Sequence, residues 1–316
     1  MTGALPPPGA HGGDGGRVAA ALGLDPATML DLSASMNPAA PDPAPLVAAH
    51  LDALGRYPDA AGATRALAAV LGVDADRVLL TNGGAEAIAL VAGQLRRGWV
   101  EAPDFSLYAR HLETVEPGAP RWRSDPHNPT GALAGPHDEA AVWDEAFFPL
   151  ATGRWTSGRA DRGAIVVGSL TKLFACPGLR VGFVLVPPGS GGGDLMDRLR
   201  AAQPQWSVNG LAASVLPDLI AGADLTGWAA EVVRLRAALV DALTARGHEA
   251  LPSAANYVLV TRADSLRTGL ARRGVVVRDC ASFGLPGHVR IAVPDDCGRA
   301  RLLEALDALA SEERRP

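Results

Sequence analysis

The chain has 316 residues, of which 48% are hydrophobic, and its formal net charge at pH 7 is −5. A chain of this length can bury a sizeable core in one large domain or two ordinary domains. Acidic and basic residues are interspersed, so the composition excludes a nucleic-acid-binding protein with a basic patch. No apolar run reaches the ~18 residues that a membrane span requires.

The cysteines and the N-terminal residues indicate the cellular compartment of the protein. The three cysteines are too scattered for a disulfide framework, and their spacing matches no zinc site. The N-terminus lacks the basic segment and apolar run of a signal peptide. We therefore expect a cytoplasmic protein without a bound metal, since few cysteines and no disulfides are typical of a reducing compartment.

Helix and strand patterns alternate from about residue 62 onward. Apolar periodicity indicates helices at residues 63–72 and 85–97, and apolar, β-branched runs indicate strands at residues 77–81, 99–102, 164–169 and 179–186. This alternation predicts an α/β fold, in which a large, mostly parallel mixed sheet is flanked by helices on both faces.

The C-terminal part has a different order of elements. After a flexible connector at residues 187–193, the pattern indicates helices at residues 208–220 and 228–246, strands at 257–260, 275–278 and 288–293, and helices at 265–273 and from Asp295. We assign residues 45–205 to the large domain. Residues 1–44 and 206–316 are assigned to a smaller α+β domain.

The basic residues are unusual because 28 of the 29 are arginines and only Lys172 is a lysine. Arginine cannot form an imine and stays protonated in proteins. A lysine that persists against such a bias is expected to serve through its amine. The count alone is equally compatible with a chance surface lysine.

The residues around Lys172 decide between these two interpretations. Lys172 follows an apolar strand, Ser169 and Thr171 precede it, and Arg180 lies eight residues later. An imine with an aldehyde cofactor requires an amine in a partly desolvated pocket. A cofactor phosphate is held by hydroxyl groups and an arginine fork. The motif therefore indicates a phosphorylated aldehyde cofactor.

A second motif, Thr-Asn-Gly-Gly-Ala-Glu at residues 81–86, places two glycines between a predicted strand and a predicted helix. Free backbone N–H groups and the positive end of the helix dipole can make such a turn a phosphate seat, with Gly84 and Ala85 as donors. An ordinary strand–turn–helix connection is the alternative.

Two further motifs carry polar groups suited to a ring cofactor. The rigid segment Asp-Pro-His-Asn-Pro-Thr-Gly at residues 125–131 directs the amide of Asn128. In Trp-Asp-Glu-Ala-Phe at residues 143–147, Asp144 ends a short apolar run. A buried carboxylate beside a pyridine nitrogen keeps that nitrogen protonated and the ring electron-withdrawing. A helix cap or an exposed acid is the alternative for Asp144.

These four motifs, in this order, resemble the fold-type I pyridoxal-phosphate enzymes of the aspartate aminotransferase superfamily. The likeness runs from about residue 11 to residue 311. It is closest to the branch that contains histidinol-phosphate aminotransferase and the threonine-phosphate decarboxylase of cobalamin biosynthesis. The segments that point to this branch are residues 11–14, 32–38, 56–59, 169–172 and 278–283.

The resemblance implies pyridoxal 5′-phosphate as cofactor and gives each motif a role. Lys172 is implied to form the Schiff base, and Asp144 to hold the pyridine nitrogen. Asn128 is implied to donate to the 3′-oxygen, and Phe105 to stack on the ring. The residues implied to hold the phosphate and its surroundings are Gly84, Ala85, Ser169, Thr171 and Arg180.

The resemblance also implies a substrate site and a partner. Arg290 is implied to clamp a substrate carboxylate or phosphate, with Arg278 as its helper. Tyr108 is expected on the wall beside the cofactor ring, and Asn37 is expected to bind substrate under a covering N-terminal segment. Tyr57 is implied to reach the cofactor phosphate of a second subunit, which predicts a homodimer with shared sites.

The spacing of the motifs departs from that of relatives. Only 22 residues separate Phe105 from Asn128, and only 15 separate Asn128 from Asp144. Relatives have room for an extra strand pair in the first interval and a helix in the second. We therefore expect a large domain that is trimmed beside the cofactor.

The resemblance leaves the reaction open. One hypothesis is decarboxylation of L-threonine O-3-phosphate to (R)-1-aminopropan-2-yl phosphate in cobalamin biosynthesis. The second is transamination, with histidinol phosphate or a related amino acid as donor. A third is a degenerate, non-catalytic relative, as the trimmed domain allows. In the first two cases the substrate is a phosphorylated, amino-acid-like small molecule.

Overall fold

The structure is a computed structural model that describes residues 4–9 and 11–313. The helices of this part of the chain are α1 (Gly15–Leu22), α2 (Ala44–Ala48), α3 (Ala61–Leu71), α4 (Gly83–Leu95), α5 (Ser106–His111), α6 (Phe148–Thr152), α7 (Leu170–Leu173), α8 (Ser190–Ala202), α9 (Gly210–Ala221), α10 (Leu225–Thr244), α11 (Leu266–Ala271) and α12 (Asp296–Glu313). The strands are β1 (Leu30–Leu32), β2 (Val78–Asn82), β3 (Arg97–Val100), β4 (Thr114–Val115), β5 (Arg121–Ser124), β6 (Val142–Asp144), β7 (Ile165–Ser169), β8 (Val181–Leu185), β9 (Tyr257–Val260), β10 (Val275–Asp279) and β11 (Val289–Ala292).

The chain divides into two compact units, and the larger unit is built on a seven-stranded sheet. The strand order is β2-β8-β7-β6-β5-β3-β4. β8 is antiparallel to both of its neighbours, and all other neighbouring strands are parallel. The predicted α/β fold with a mostly parallel mixed sheet is therefore confirmed.

Helix α4 lies at the centre of this unit and packs against β2, β7, β8, α5 and α8. Its small and branched side chains, among them Ala87, Ile88 and Val91, are almost completely buried in the core. This packing holds the first turn of α4 against the ends of the neighbouring strands, which positions the candidate site.

The flexible connector expected at residues 187–193 is wrong, because α8 begins at Ser190. A Cβ at Gly192 would lie 1.8 Å from the carbonyl oxygen of Pro187, so the close turn into the helix requires glycine there. Leu195 and Leu199 of α8 are buried in the core of the unit. Burial of these side chains outweighs the low helix propensity of the glycines in the first turn.

The smaller unit has a four-stranded sheet in the order β1-β10-β11-β9. β1 and β10 are parallel, and the other pairs are antiparallel. Leucines of α10, α11 and α12 form one core with the valines and isoleucine of the sheet. The predicted smaller α+β domain is thus present.

The division between the units differs from the sequence-based one. Residues 40–128 and 133–230 belong to the larger unit, whereas residues 129–132 and 231 onward group with the N-terminal residues up to 39. Residues 206–230 stay with the larger sheet because α9 packs on α3. Gly131 joins the smaller unit, where its carbonyl oxygen accepts from the Ala254 N–H at 2.8 Å. Residues 1–3, 10 and 314–316 of the predicted small domain lie outside the described residues.

The two short intervals differ in structure. The interval between Phe105 and Asn128 contains α5, β4 and β5. The two arginines of β5 are accommodated in the strand because their guanidinium groups stack on tryptophan rings, Arg121 on Trp99 and Arg123 on Trp143. In the second interval, residues 125–141 contain no helix. A connection between parallel strands such as β5 and β6 usually includes one.

Within the described residues, none of the helices has the length and apolar character needed to cross a membrane.

Candidate active site

The candidate site of the larger unit lies at one edge of its sheet. β2, β5, β6 and β7 run in the same direction, so their carboxyl ends lie on this edge, where the antiparallel strand β8 begins. The predicted site residues occur at or just beyond these ends. In open α/β sheets, this is the edge at which ligands bind.

A cradle for an anion forms where β2 enters α4. Gly83 has φ of +77°, and a Cβ at this position would lie 2.6 Å from an Nη atom of Arg180. A Cβ at Gly84 would lie 3.3 Å from the Cβ of Ser169. The guanidinium group and the hydroxyl-bearing residue therefore lie against the first turn of α4. Together with the N–H groups of a helix start, they could hold a phosphate group.

Gly182 of β8 sets how closely the cradle can assemble. A Cβ at Gly182 would lie 2.5 Å from both the carbonyl carbon of Gly83 and the nitrogen of Gly84. Only glycine permits this approach, because a Cβ cannot be accommodated at 2.5 Å from backbone atoms that are themselves held by α4 and β2.

Asp144, the last residue of β6, presents a carboxylate that two donors hold. Its Oδ2 accepts from the phenol of Tyr108 at 2.8 Å, and its Oδ1 accepts from the N–H of Ala146 at 2.9 Å. Burial raises the pKa of Asp144, whereas these two hydrogen bonds and the positive charge of Lys172 lower it. The carboxylate is therefore fixed in orientation and faces a nearby cation.

Lys172 lies in the short helix α7, directly after β7. Its ammonium nitrogen is 4.9 Å from the centre of the Phe147 ring, which gives it a partly apolar environment. The hydroxyl of Thr171, the preceding residue, donates to the carbonyl oxygen of Val181 at 3.3 Å and so joins α7 to β8.

Phe105 and Asn128 lie at the ends of neighbouring segments. The ring of Phe105 meets the ring of Tyr108 edge-to-face, with centroids 5.7 Å apart. Asn128 is buried, and its backbone N–H donates to the Oγ of Ser124 at 2.8 Å. Both residues are thus held by neighbouring groups of the same unit.

Tyr108, which we expected on the wall beside the cofactor ring, contacts Asp144 in the structure. Its side chain is completely buried, and its hydroxyl is used by Asp144. Burial, followed by the charge of Asp144, raises the pKa of Tyr108 well above its usual range. It therefore remains a neutral donor that orients Asp144.

The smaller unit pairs two buried arginines. Arg278 of β10 and Arg290 of β11 are directly opposite each other in the antiparallel register. Burial and then the charge of Arg290 lower the pKa of Arg278 to about 10, and burial lowers the pKa of Arg290. Two adjacent buried cations repel each other, so this pair is suited to binding an anionic group.

Other contacts orient these two arginines. Arg278 donates to the carbonyl oxygen of Gly9 at 2.7 Å and to the Oγ of Ser282 at 2.8 Å. Arg290 lies 4.6 Å above the centre of the Tyr257 ring. Asn37 of the same unit is buried, and its Oδ1 accepts from the N–H of Ala39 at 2.9 Å.

Sequence patterns missed Gly182 and the role of Gly83. The double glycine at residues 83–84 signalled a turn, but only the structure shows that Arg180 lies against the first glycine. Nothing in the spacing around Gly182 distinguishes it from an ordinary strand glycine.

Comparisons with known proteins identify the family. A family model described as aminotransferase class I and II matches residues 124–309. Histidinol-phosphate aminotransferase 1 of Thiobacillus denitrificans is 31% identical, over 90% of this chain and 86% of that protein. Threonine-phosphate decarboxylase of Salmonella typhimurium is 32% identical, over 94% of this chain and 95% of that protein.

The chain belongs to the aminotransferase class I and II family. This chain has the same fold as the structure of L-threonine-O-3-phosphate decarboxylase from Porphyromonas gingivalis, with a TM-score of 0.76 and 23% sequence identity. The match covers 90% of this chain and 100% of that one. The family depends on pyridoxal phosphate, so this chain is a pyridoxal-phosphate-dependent enzyme. The non-catalytic alternative is thereby set aside.

The residues present fit this cofactor. The cradle of Gly83, Gly84 and Arg180 suits its phosphate, because a Cβ at either glycine would fill the space against the guanidinium group or Ser169. The partly buried carboxylate of Asp144 suits a protonated ring nitrogen. Lys172 supplies the amine.

Gly182→Ala is expected to weaken binding of pyridoxal phosphate to the apoprotein by about 5- to 100-fold, because the added methyl group displaces the β2–α4 turn. An absorbance titration of apoprotein with the cofactor measures the dissociation constant. Gly93→Ala is the matched control, since a Cβ at Gly93 of α4 meets nothing within 4 Å. An unchanged affinity in Gly182→Ala would show that the turn tolerates displacement.

Tyr108→Phe is expected to raise the pKa of Asp144 and to lower the free energy of unfolding at pH 7 by about 1–3 kcal/mol, because the ionised carboxylate loses a buried donor. The destabilisation should diminish as the pH falls through the folded-state pKa of Asp144, where the carboxylate is neutral. Carbon-detected NMR titration and urea unfolding of the apoprotein measure both effects. Thr28→Val serves as the stability control, since it removes an exposed hydroxyl group that donates to the carbonyl oxygen of Asp25 at 2.8 Å.

Proposed function

We propose that this enzyme decarboxylates L-threonine O-3-phosphate to (R)-1-aminopropan-2-yl phosphate, as a step of cobalamin biosynthesis. The buried Arg278–Arg290 pair supports this proposal best. Threonine phosphate has a carboxylate and a phosphate, so each arginine can take one anionic group. Histidinol phosphate has a phosphate and no carboxylate.

The polar groups of the larger unit divide the remaining work. When bound, pyridoxal phosphate supplies an aldehyde for the substrate amine and a protonated ring that withdraws electrons. Asp144 would hold the proton on the ring nitrogen, Asn128 would donate to the ring oxygen, and Phe105 would stack on the ring. Gly84, Ala85, Ser169 and Arg180 would hold the phosphate.

Lys172 carries the proton transfer in this proposal. In decarboxylation, the bond between Cα and the carboxylate carbon breaks, carbon dioxide leaves, and the amine of Lys172 delivers a proton to Cα. Which bond at Cα breaks would depend on how the substrate is oriented against the bound cofactor. Arg278 and Arg290 determine this by the positions in which they hold the two anionic ends.

Transamination is the second candidate, and the 31% identity to histidinol-phosphate aminotransferase 1 favours it. In that case Lys172 removes the proton from Cα instead of returning one there. The same residues at the ring serve both reactions.

Incubation of purified holoenzyme with each phosphate ester distinguishes the two reactions. With L-threonine O-3-phosphate we expect one carbon dioxide per substrate consumed and no accumulation of the pyridoxamine form. Gas release and the cofactor absorbance spectrum are followed together. Conversion to the pyridoxamine form by histidinol phosphate or glutamate, without carbon dioxide from threonine phosphate, would contradict the decarboxylase proposal.

Lys172→Ala and Lys172→Arg should both abolish turnover in this assay. The second variant is the matched control for charge, because arginine retains the cation but cannot form an imine or transfer a proton. Activity in Lys172→Arg would mean that charge alone suffices at this position.

We also propose a homodimer, which the exposed apolar surface of the larger unit supports. Leu51, Leu54, Tyr57 and Trp206 are 51%, 70%, 80% and 58% exposed. The rings of Tyr57 and Trp206 lie 4.7 Å apart, and Leu51 and Leu54 lie in the short 3-10 helix Leu51–Gly55, just before Tyr57 in the chain. We refer to these four residues as the patch. Contiguous exposed apolar surface of this kind marks an interaction site, and Tyr57 would thereby reach a second subunit.

Leu54→Arg is expected to convert the dimer to a 32.5 kDa monomer in sedimentation equilibrium, because a charge would be buried in the interface. Val115→Arg is the control, since Val115 is 44% exposed on the short edge strand β4, outside the patch. Sedimentation of the wild type as a monomer would refute the homodimer.

A further inference from the structure

Asp104 is a buried acid that the roles described above do not use. It precedes Phe105 and is 8% exposed, in the loop between β3 and α5 of the larger unit. Among the described residues it forms no ion pair with arginine or lysine, and the Nε2 of His127 is 4.0 Å from its Oδ2. A carboxylate in such a place is costly unless several donors satisfy it.

Three hydrogen bonds supply those donors. Oδ1 of Asp104 accepts from the N–H of Phe105 at 2.7 Å and from the Oγ of Ser124 at 2.7 Å. Oδ2 accepts from the N–H of Ser124 at 3.2 Å. The carboxylate thus joins the start of α5 to the end of β5.

The chain of hydrogen bonds continues to Asn128. The Oγ of Ser124, which donates to Asp104, also accepts from the N–H of Asn128 at 2.8 Å. Ser124 is directly opposite Asp144 in the pairing of β5 with β6. One carboxylate therefore sets the backbone positions of Phe105 and Asn128 relative to the strand pair that ends at Asp144.

We propose that Asp104 is a positioning residue, which holds Phe105 and Asn128 at the distance and tilt that the cofactor ring requires. This inference rests on the roles given to Phe105 and Asn128 under the proposed function. Asp104 acts through Ser124 and the backbone, without touching the cofactor itself. An apolar residue at this position would leave the N–H of Phe105 and both donors of Ser124 without their acceptor.

The energetics agree with a positioning role. Burial raises the pKa of Asp104 to about 7, and the hydrogen bonds from Ser124 and Phe105 lower it only in part. Burial of the carboxyl group therefore lowers the free energy of unfolding. The same group accepts hydrogen bonds from donors in two separate segments. Rigid support of this kind is what keeps groups around a cofactor in productive geometry.

Two variants test the proposal. Asp104→Asn keeps the size of the side chain but places an amide next to the donors of Ser124. Ser124→Ala keeps Asp104 but removes the hydroxyl that bridges to Asn128. Asp161→Asn is the matched control, because Asp161 is an exposed acid of the same unit that pairs with Arg77 at 2.8 Å.

Three measurements are made on each variant: the dissociation constant of pyridoxal phosphate from an apoprotein titration, the visible circular dichroism of bound cofactor, and kcat and KM separately. For Asp104→Asn we expect affinity to fall about tenfold, as loss of a charged acceptor predicts. The visible dichroism should decrease, and kcat should fall more than KM rises. Ser124→Ala should change the same quantities in the same direction, and Asp161→Asn should change none.

The outcomes separate this inference from the proposed function. If wild-type protein forms the coloured complex and both variants match its affinity and dichroism, the positioning role is overturned alone. If Asp104→Asn does not fold, Ser124→Ala decides, and wild-type values in that variant overturn the proposal. If the wild-type apoprotein takes up no pyridoxal phosphate, the proposed function fails and the inference fails with it.

Discussion

The electrostatic attraction between Asp144 and Lys172 at the sheet edge is the interaction on which the site depends. The charge of Lys172 lowers the pKa of Asp144 against the effect of burial. Tyr108 and Ala146 then hold the carboxylate in one orientation. A carboxylate fixed in this way can keep a ring nitrogen protonated, and without that the amine of Lys172 would act on a weaker electron acceptor.

The second constraint on the site is the close approach of the β8 backbone at Gly182 to the backbone at the start of α4. Arg180 and Ser169 reach the first turn of α4 only because residues 83, 84 and 182 have no side chain in the way. The start of α4 therefore lies so close to its neighbours that only glycine fits at these three positions. The cradle at the start of α4 is a consequence of packing, and α4 holds it in place through its burial in the core.

Much of the fold followed from periodicity. The long helices and apolar strands, for example α4 and β7, were predicted within a few residues because their side chains repeat over enough positions. The short strands β5 and β6 were not, since four and three residues carry no clear period. The arginines of β5 also disguise a strand, because their stacking on Trp99 and Trp143 is a tertiary contact. Helix α8 was missed because its glycines suggested a loop, and burial of its leucines overrides that preference.

By itself, the sequence determined the family and the cofactor, because Lys172 and its neighbouring motifs carry chemistry that depends on residue type and order. Only the tertiary structure showed which side chains contact each other in the candidate site. It placed Tyr108 against Asp144, turned Thr171 to a backbone carbonyl, and paired Arg278 with Arg290 across two strands. Such contacts join residues that are distant in the chain, and local sequence contains no signal for them. Hydrogen bonds and burial arise only when the sheet assembles.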